Sequence, residues 1–340
     1  MKTKLCGAAL FTFVLSTFTL STVTLSAFIL ALAVAAPALA QSRAAAYPAR
    51  VVRIIVPFPA GGTTDAAARA LGASLEKSWK QSVIVDNMPG GNQIVGANAL
   101  TRAAPDGYTL LVGAHSLMYE HLLNKDVNFL PSRDLTPIAL MCGSGLIYSL
   151  ASDVPAKSFA EFVAWVKANP GKVNEGTITS GGAPELKDLW QSLGAQMTQI
   201  AYKGGAPAVT ALVAGEVQIY GASPLDVAQL SKVGKVRPVM YTERQRHPQF
   251  PDVPTLQEST GATQTYRFWF GLFGPGGLPA DLVSRIEASA AEALKSAEIR
   301  ERYNTLGLQI YPSSTEDLRQ EISVVTRRIE DLQARGYKLR

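Results

Sequence analysis

The chain has 340 residues, 47% of them hydrophobic, with 32 basic and 27 acidic side chains and a net charge of +5. That surplus is small and dispersed. Its only local basic clusters, Arg244-Gln245-Arg246 and Arg327-Arg328, are too sparse for the dense cationic face that nucleic acid or an anionic membrane surface requires, so neither is expected as a partner.

The N-terminus reads as an export signal. Lys2 and Lys4 head an apolar stretch with no charge until Arg43, and the stretch closes on Ala38-Leu39-Ala40, the small-x-small pattern of a signal peptidase site. It is longer than the usual apolar core of about 7–15 residues and reaches the ~20 that span a bilayer. The Ala-x-Ala end and the polar Gln41-Ser42-Arg43 favour a leader, residues 1–40, cleaved after Ala40, and a periplasmic destination. Roughly 300 residues remain, room for two domains. Of the two cysteines only Cys142 lies beyond the leader. It can form no internal disulfide, and within Ile138-Ala139-Leu140-Met141-Cys142 it reads as a small buried hydrophobe.

Strand-like and helix-like segments then alternate. Val51–Val56 is a β-branched run, and Asp65–Lys80 places Ala68, Leu71, Leu75 and Trp79 at helical spacing. A strand at Val83–Val85, a helix at Ile94–Ala103 and a strand at Tyr108–Val112 follow. Thr136–Met141 and Ile147–Ser152 read as further strands, and Phe159–Asn169 as an amphipathic helix stopped by Pro170-Gly171. Thr177–Thr179 reads as a strand leading into a helix through Gln191, Ala206–Ala214 as a helix and Val217–Tyr220 as a strand. Ala280–Arg340 is mostly helical. This alternation predicts an α/β fold with two mostly parallel sheets flanked by helices. Residues 41–145 plus 266–340 are expected to form one lobe and 146–265 the other.

Glycine pairs recur between a strand and a helix: Gly61-Gly62, Gly90-Gly91, Gly181-Gly182 and Gly204-Gly205. Glycine permits a tight turn and close backbone approach, and the helix start adds unpaired N–H donors and about half a positive charge. Such turns lie at the carboxyl ends of strands, where open α/β sheets bind ligands. The pattern suits an anion, carboxylate or phosphate alike. Ordinary tight turns would account for any one pair; four from both halves of the chain point to a shared site.

Catalytic and metal-binding patterns are thin. His115, His121 and His247 have no neighbours at metal-ligand spacing, so no metal is expected, and there is no Walker loop or dinucleotide fingerprint to call for a cofactor. Cys142-Gly143-Ser144-Gly145 lacks the spacing of a nucleophile elbow. A hydrolase using Ser116 or Ser180 would need a base within reach, and the few histidines argue against it. His115 follows a strand and is a candidate to line a cleft.

Val56-Pro57-Phe58-Pro59-Ala60-Gly61-Gly62-Thr63-Thr64-Asp65 resembles the opening motif of the Bug-type solute receptors of tripartite tricarboxylate transporters. The resemblance continues in order through Val85–Gly91, Ala103–Leu110, Asp134–Ile138, Tyr202–Ala208, Phe250–Thr255 and Trp269–Phe273. It implies a two-lobed, Venus-flytrap fold of the type II-like periplasmic-binding class, acting without catalysis or cofactor as a monomer. It would capture a small organic carboxylate for membrane transporter subunits or, alternatively, for a sensor kinase. Carried over residue by residue, it assigns ligand binding to Phe58, Gly61, Gly62, Thr63, Thr64 and Asp65, with Asp65 expected to brace the helix start, since like charges repel. His115 and Ser116 join them from the third strand end. From the second lobe come Ser180, Gly181, Gly182, Ala183, Tyr202, Lys203 and Gly204, with Lys203 a candidate partner for a second carboxylate. Two departures stand out: the Asn-Pro expected after the third strand is replaced around Glu120-His121, and the Asp expected after Ile219-Tyr220 is Gly221. If that Asp reads an amino group or hydroxyl in relatives, an amino acid would not be bound here in the same way.

Overall fold

The computed structural model describes residues 47–124, 127–178, 184–202, 204–311 and 313–336. Contacts divide the chain after Ala49, and every named strand and helix lies in Arg50–Arg340.

The first sheet has six strands: β1 (Val52–Val56), β2 (Val83–Asn87), β3 (Thr109–Ala114), β4 (Leu135–Gly145), β10 (Arg267–Pro275) and β11 (Gln309–Ile310). The second holds β5 (Ile147–Ala151), β6 (Asn174–Thr177), β7 (Thr198–Ala201), β8 (Ile219–Ala222) and β9 (Val236–Tyr241). The orders are β11-β4-β10-β3-β1-β2 and β7-β6-β8-β5-β9. Both sheets are mixed rather than mostly parallel. β1 runs parallel to β2 and β3, and β6 to β7 and β8, whereas β10 pairs antiparallel with both β3 and β4, and β5 antiparallel with β8 and β9. The β4–β10 pairing joins segments more than a hundred residues apart, so no hairpin turn announces it.

Helices flank the sheets: α1 (Thr63–Trp79), α2 (Ile94–Thr101), α3 (Phe159–Ala168), α4 (Pro184–Ser192), α5 (Gly205–Val213), α6 (Pro224–Lys232), α7 (Ala280–Lys295), α8 (Ala297–Thr305) and α9 (Thr315–Ala334). Cover on both faces explains the unbroken apolar strands, with Ile54, Ile55, Val56, Leu110, Leu111 and Val112 all at zero exposure. Phe273, Leu318 and Ile329 share one core cluster, in which α9 lies against the first sheet, and Phe162, Trp190 and Leu212 share another beneath the second. The start of α9 is closed by reciprocal Ser314–Asp317 capping bonds.

The chain passes between the sheets at Leu146 and again between Tyr241 and Arg267. These crossings are tied together. Thr242 N–H donates to the Leu146 carbonyl (3.1 Å), Leu146 N–H to Thr242 Oγ1 (2.8 Å) and Tyr266 N–H to the Thr242 carbonyl (3.1 Å).

The strand expected at Thr177–Thr179 lies upstream, as β6, and Thr179 falls outside the described residues. Glu175 concealed it, because a glutamate at 2% exposure does not read as a strand core. Its carboxylate accepts from Trp190 Nε1 (2.9 Å), Gln199 Nε2 (3.0 Å) and the Tyr148 hydroxyl (3.3 Å), while burial raises its pKa against the pull of those donors.

Gly143 in β4 is a glycine by necessity. A Cβ there would collide with the Phe268 carbonyl of the paired strand and lie 2.8 Å from the Tyr311 ring. Gly143→Ala should therefore destabilise the fold by about 1–3 kcal/mol, the usual cost of overpacking, measured as a lowered urea midpoint with an unchanged slope.

Candidate functional site

Parallel pairing sets the site. With β3, β1 and β2 side by side and running the same way, the turns that follow them emerge at one sheet edge. The same holds for β7, β6 and β8 in the second sheet.

The turn after β1 carries Phe58, half-buried, then Gly61, Gly62 and Thr63, all exposed. Gly61 sits at φ +85° with nothing within 4 Å of where a Cβ would be, a conformation that favours glycine. Gly62 is the N-cap of α1 and offers no side-chain oxygen, so the first-turn N–H groups of the helix are left for an outside acceptor. Thr64 and Asp65 lie beneath them, at 6% and 4% exposure. Asp65 accepts from Gly61 N–H (2.9 Å), Asn87 Nδ2 (2.9 Å) and Arg69 Nε (3.0 Å). Burial alone would raise its pKa, but the Arg69, Gly61 and Asn87 donors prevail and hold the carboxyl below its ordinary value. Asn87 also donates to the Phe58 carbonyl (3.1 Å), tying the end of β2 to this turn.

The turn after β2 is locked to the end of β3. Gln93, at φ +78°, donates from Nε2 to Ser116 Oγ (2.7 Å) and accepts from Ala114 N–H (2.9 Å). Asn92 donates to the buried Glu120 carboxylate. Ser116 Oγ is thus engaged by an amide rather than an imidazole. His115 stands half-buried against the rings of Tyr119 and Trp269, with centroids 6.1 and 6.2 Å away. Its Nδ1 is buried without a partner among the described residues, and desolvation lowers its pKa to about 4, leaving a neutral imidazole at pH 7.

In the second sheet Tyr202 is half-buried and donates its backbone N–H to the Thr177 carbonyl (2.7 Å). Gly204, at φ +130°, is the N-cap of α5, again with no side-chain cap and open space beside it. Ser180, Gly181, Gly182, Ala183 and Lys203 lie outside the described residues. At Gly221 a Cβ would lie 2.8 Å from the Tyr148 ring, so an aromatic side chain occupies the room that an acidic residue at this position would need.

Three contributors escaped the sequence reading. Asn87 and Gln93 act through contacts 22 to 29 and 21 to 23 residues away, which no local pattern reveals. The third is the turn after β8, where Ser223 N-caps α6, accepts from Asp226 N–H (3.3 Å) and donates to Asp226 Oδ2 (2.8 Å). Its signal was present as Ser-Pro-x-Asp, a helix-start pattern.

A cleft of about 620 Å³ runs between α1 and α8, lined by Ala66, Arg69, Glu298 and Arg302. It shares only Gly61 and Asp65 with the strand-end turns. Among the described residues no three His, Cys, Asp or Glu side chains gather as a metal site, and no helix is long and apolar enough to cross a membrane.

Known proteins share this sequence pattern and fold. The family model described as the tripartite tricarboxylate transporter family receptor, TctC, matches residues 67–335. Protein BugT of Bordetella pertussis is 31% identical over 268 residues, 78% of this chain and 82% of BugT. The structure of MatC from Rhodopseudomonas palustris with bound malate superposes with a TM-score of 0.74 at 29% identity, covering 84% of this chain and 99% of MatC. A second R. palustris structure, with adipate, gives 0.75 at 25% identity, covering 84% and 97%.

Asp65→Ala should cost about 1–3 kcal/mol at pH 7, the scale for losing a carboxylate that accepts three hydrogen bonds. The carboxylate's contribution, set by a depressed folded pKa, is complete above the ordinary value of 3.8 and fades as pH falls through the lower folded value; urea unfolding of both proteins in acid would show their stabilities converging. For His115 the folded value of about 4 lies below the ordinary 6.5, so neutral burial stabilises fully above pH 6.5 and progressively less down to pH 4. Across that window wild type should lose about 3 kcal/mol more than His115→Gln in parallel urea titrations.

Proposed function

Because the chain belongs to the tripartite tricarboxylate transporter receptor family, we propose that it captures a small organic carboxylate at the strand-end turns and delivers it to membrane transporter subunits. The observation that carries this reading is the pair of glycine N-caps, Gly62 on α1 and Gly204 on α5, one at each sheet. Neither N-cap supplies a side-chain acceptor to the helix N–H donors, and a carboxylate satisfies such donors without Arg or Lys. That relatives hold malate and adipate supports the ligand class.

On this reading residues 41–145 plus 266–340 form one lobe and 146–265 the other, a division supported by the fact that each sheet draws its strands from one of these sets. Ligand contacts from both lobes exist together only when the lobes close, so binding favours closure. Phe58, Gly61, Gly62 and Thr63 provide the first-lobe rim with His115 and Ser116 beside them, and Tyr202 and Gly204 part of the second. Ser180–Ala183 and Lys203 complete it by the family resemblance. Thr64 and Asp65 serve from below. Cleavage after Ala40 would release the receptor outside the cytoplasm. A binding rather than catalytic role is supported by the receptor family and by Ser116, whose hydroxyl is engaged by the Gln93 amide.

A thermal-shift screen of residues 41–340 against di- and tricarboxylates, aromatic acids, amino acids, phosphate esters and sugars tests the reading. A ligand at 100 times its Kd adds about 2.7 kcal/mol, a rise of a few degrees in Tm for a protein of this size. One or a few carboxylates should produce that rise; a response confined to phosphate esters or sugars would reassign the ligand class.

A further inference from the structure

Gly205, the first residue of α5, has two oxygens facing the place where its side chain would be. A Cβ built there lies 3.7 Å from Asp226 Oδ2 and 3.8 Å from the Tyr220 hydroxyl. With only hydrogen at that carbon, a notch remains, floored by Gly205 and walled by a carboxylate and a phenol. Gly204 beside it has no described atom within 4 Å of its own Cβ position, so the notch opens next to the glycine-capped helix start that would take the ligand's carboxylate.

The charges of the walls are specific. Asp226 is exposed, and among the described residues its side chain bonds Ser223 alone and pairs with no cation. Tyr220 is held on β8 with its ring buried at 4% exposure, and its hydroxyl bonds no described side chain. Burial and the neighbouring Asp226 raise the phenol's pKa, so it stays protonated. Leu225 packs closely on the turn at Gly307, which seats the first turn of α6 and with it Asp226.

An unneutralised carboxylate repels a second carboxylate and attracts a donor, a cation most strongly. We propose that the Asp226–Tyr220 notch is the selectivity element of the ligand site, favouring carboxylates that carry a hydrogen-bond donor, an ammonium ahead of a hydroxyl, over the unsubstituted acid. The inference rests on the carboxylate-capture reading above and names the subclass of ligand within it.

Calorimetric titration of the mature protein with two matched triads tests it: propionate, lactate and alanine, then succinate, malate and aspartate. Within the triad that binds, the amino acid should be tightest and the unsubstituted acid weakest, separated by about 10- to 100-fold, the scale of a hydrogen bond to a charged group. Asp226→Asn, which keeps an oxygen for Ser223 and removes the charge, should compress that separation to within about threefold. Gly205→Ala fills the notch while leaving the charge in place and should compress it as well, which provides an independent answer if Asp226→Asn folds poorly by far-UV circular dichroism. Equal affinities within a triad for wild type, or an order unchanged in both variants, would overturn the selectivity assignment and leave carboxylate capture standing. If no acid of either triad or of the wider panel binds wild type, capture itself falls and the selectivity assignment falls with it.

Discussion

Asp65 carries the arrangement on which the rest of the first-sheet rim depends. Its carboxylate, almost wholly out of solvent, receives Gly61 N–H, the Asn87 amide and the Arg69 guanidinium. Those three donors come from the turn after β1, the end of β2 and the next turn of α1, so one anion fixes the relative position of three segments. Because its charge is consumed inside, the rim above it presents backbone donors and no negative group. A helix start can attract an anion only when the acidic residue of its own first turn is otherwise engaged.

The same logic separates the two sheets. In the first, Asp65 and Glu120 near the strand ends are buried and receive amide donors, and the half-buried Asp86 of β2 is paired with Arg53. In the second, Glu175 is likewise buried beneath Trp190, Gln199 and Tyr148, but Asp226 stands at the surface with Ser223 as its one side-chain partner among the described residues. On the proposed reading the site is asymmetric: one side offers donors alone, the other donors beside an acceptor. Tyr148 reinforces that asymmetry, since its ring fills the space at Gly221 and leaves Asp226 as the carboxylate at the β8 end.

Much of this is legible in the residues alone. The Gly61-Gly62 and Gly204-Gly205 turns are local, as is the helix-starting role of Asp65, because a turn's chemistry lies within a few consecutive residues. The apolar runs of β1 and β3 were equally plain, since strands covered on both faces lose their polar alternation. The mixed character of the sheets was not legible. β10 enters between β3 and β4 across more than a hundred residues, and antiparallel pairing at that distance has no turn signal. β6 was misplaced for a related reason: Glu175 looks like a surface residue until Trp190, Gln199 and Tyr148 are brought around it.

The sequence by itself determined the alternation of strands and helices, the glycine turns between them and the family resemblance, all properties of neighbouring residues or of ordered motifs. Tertiary structure alone decided which acids are spent and which remain free. Asp65, Glu120, Glu175 and Asp226 are indistinguishable as isolated letters. Whether each charge is compensated depends on donors delivered by remote segments, as Asn87 is to Asp65 and Gln199 to Glu175. The electrostatic character of a cleft is the sum of what those contacts leave unpaired, and that sum exists only once the chain has folded.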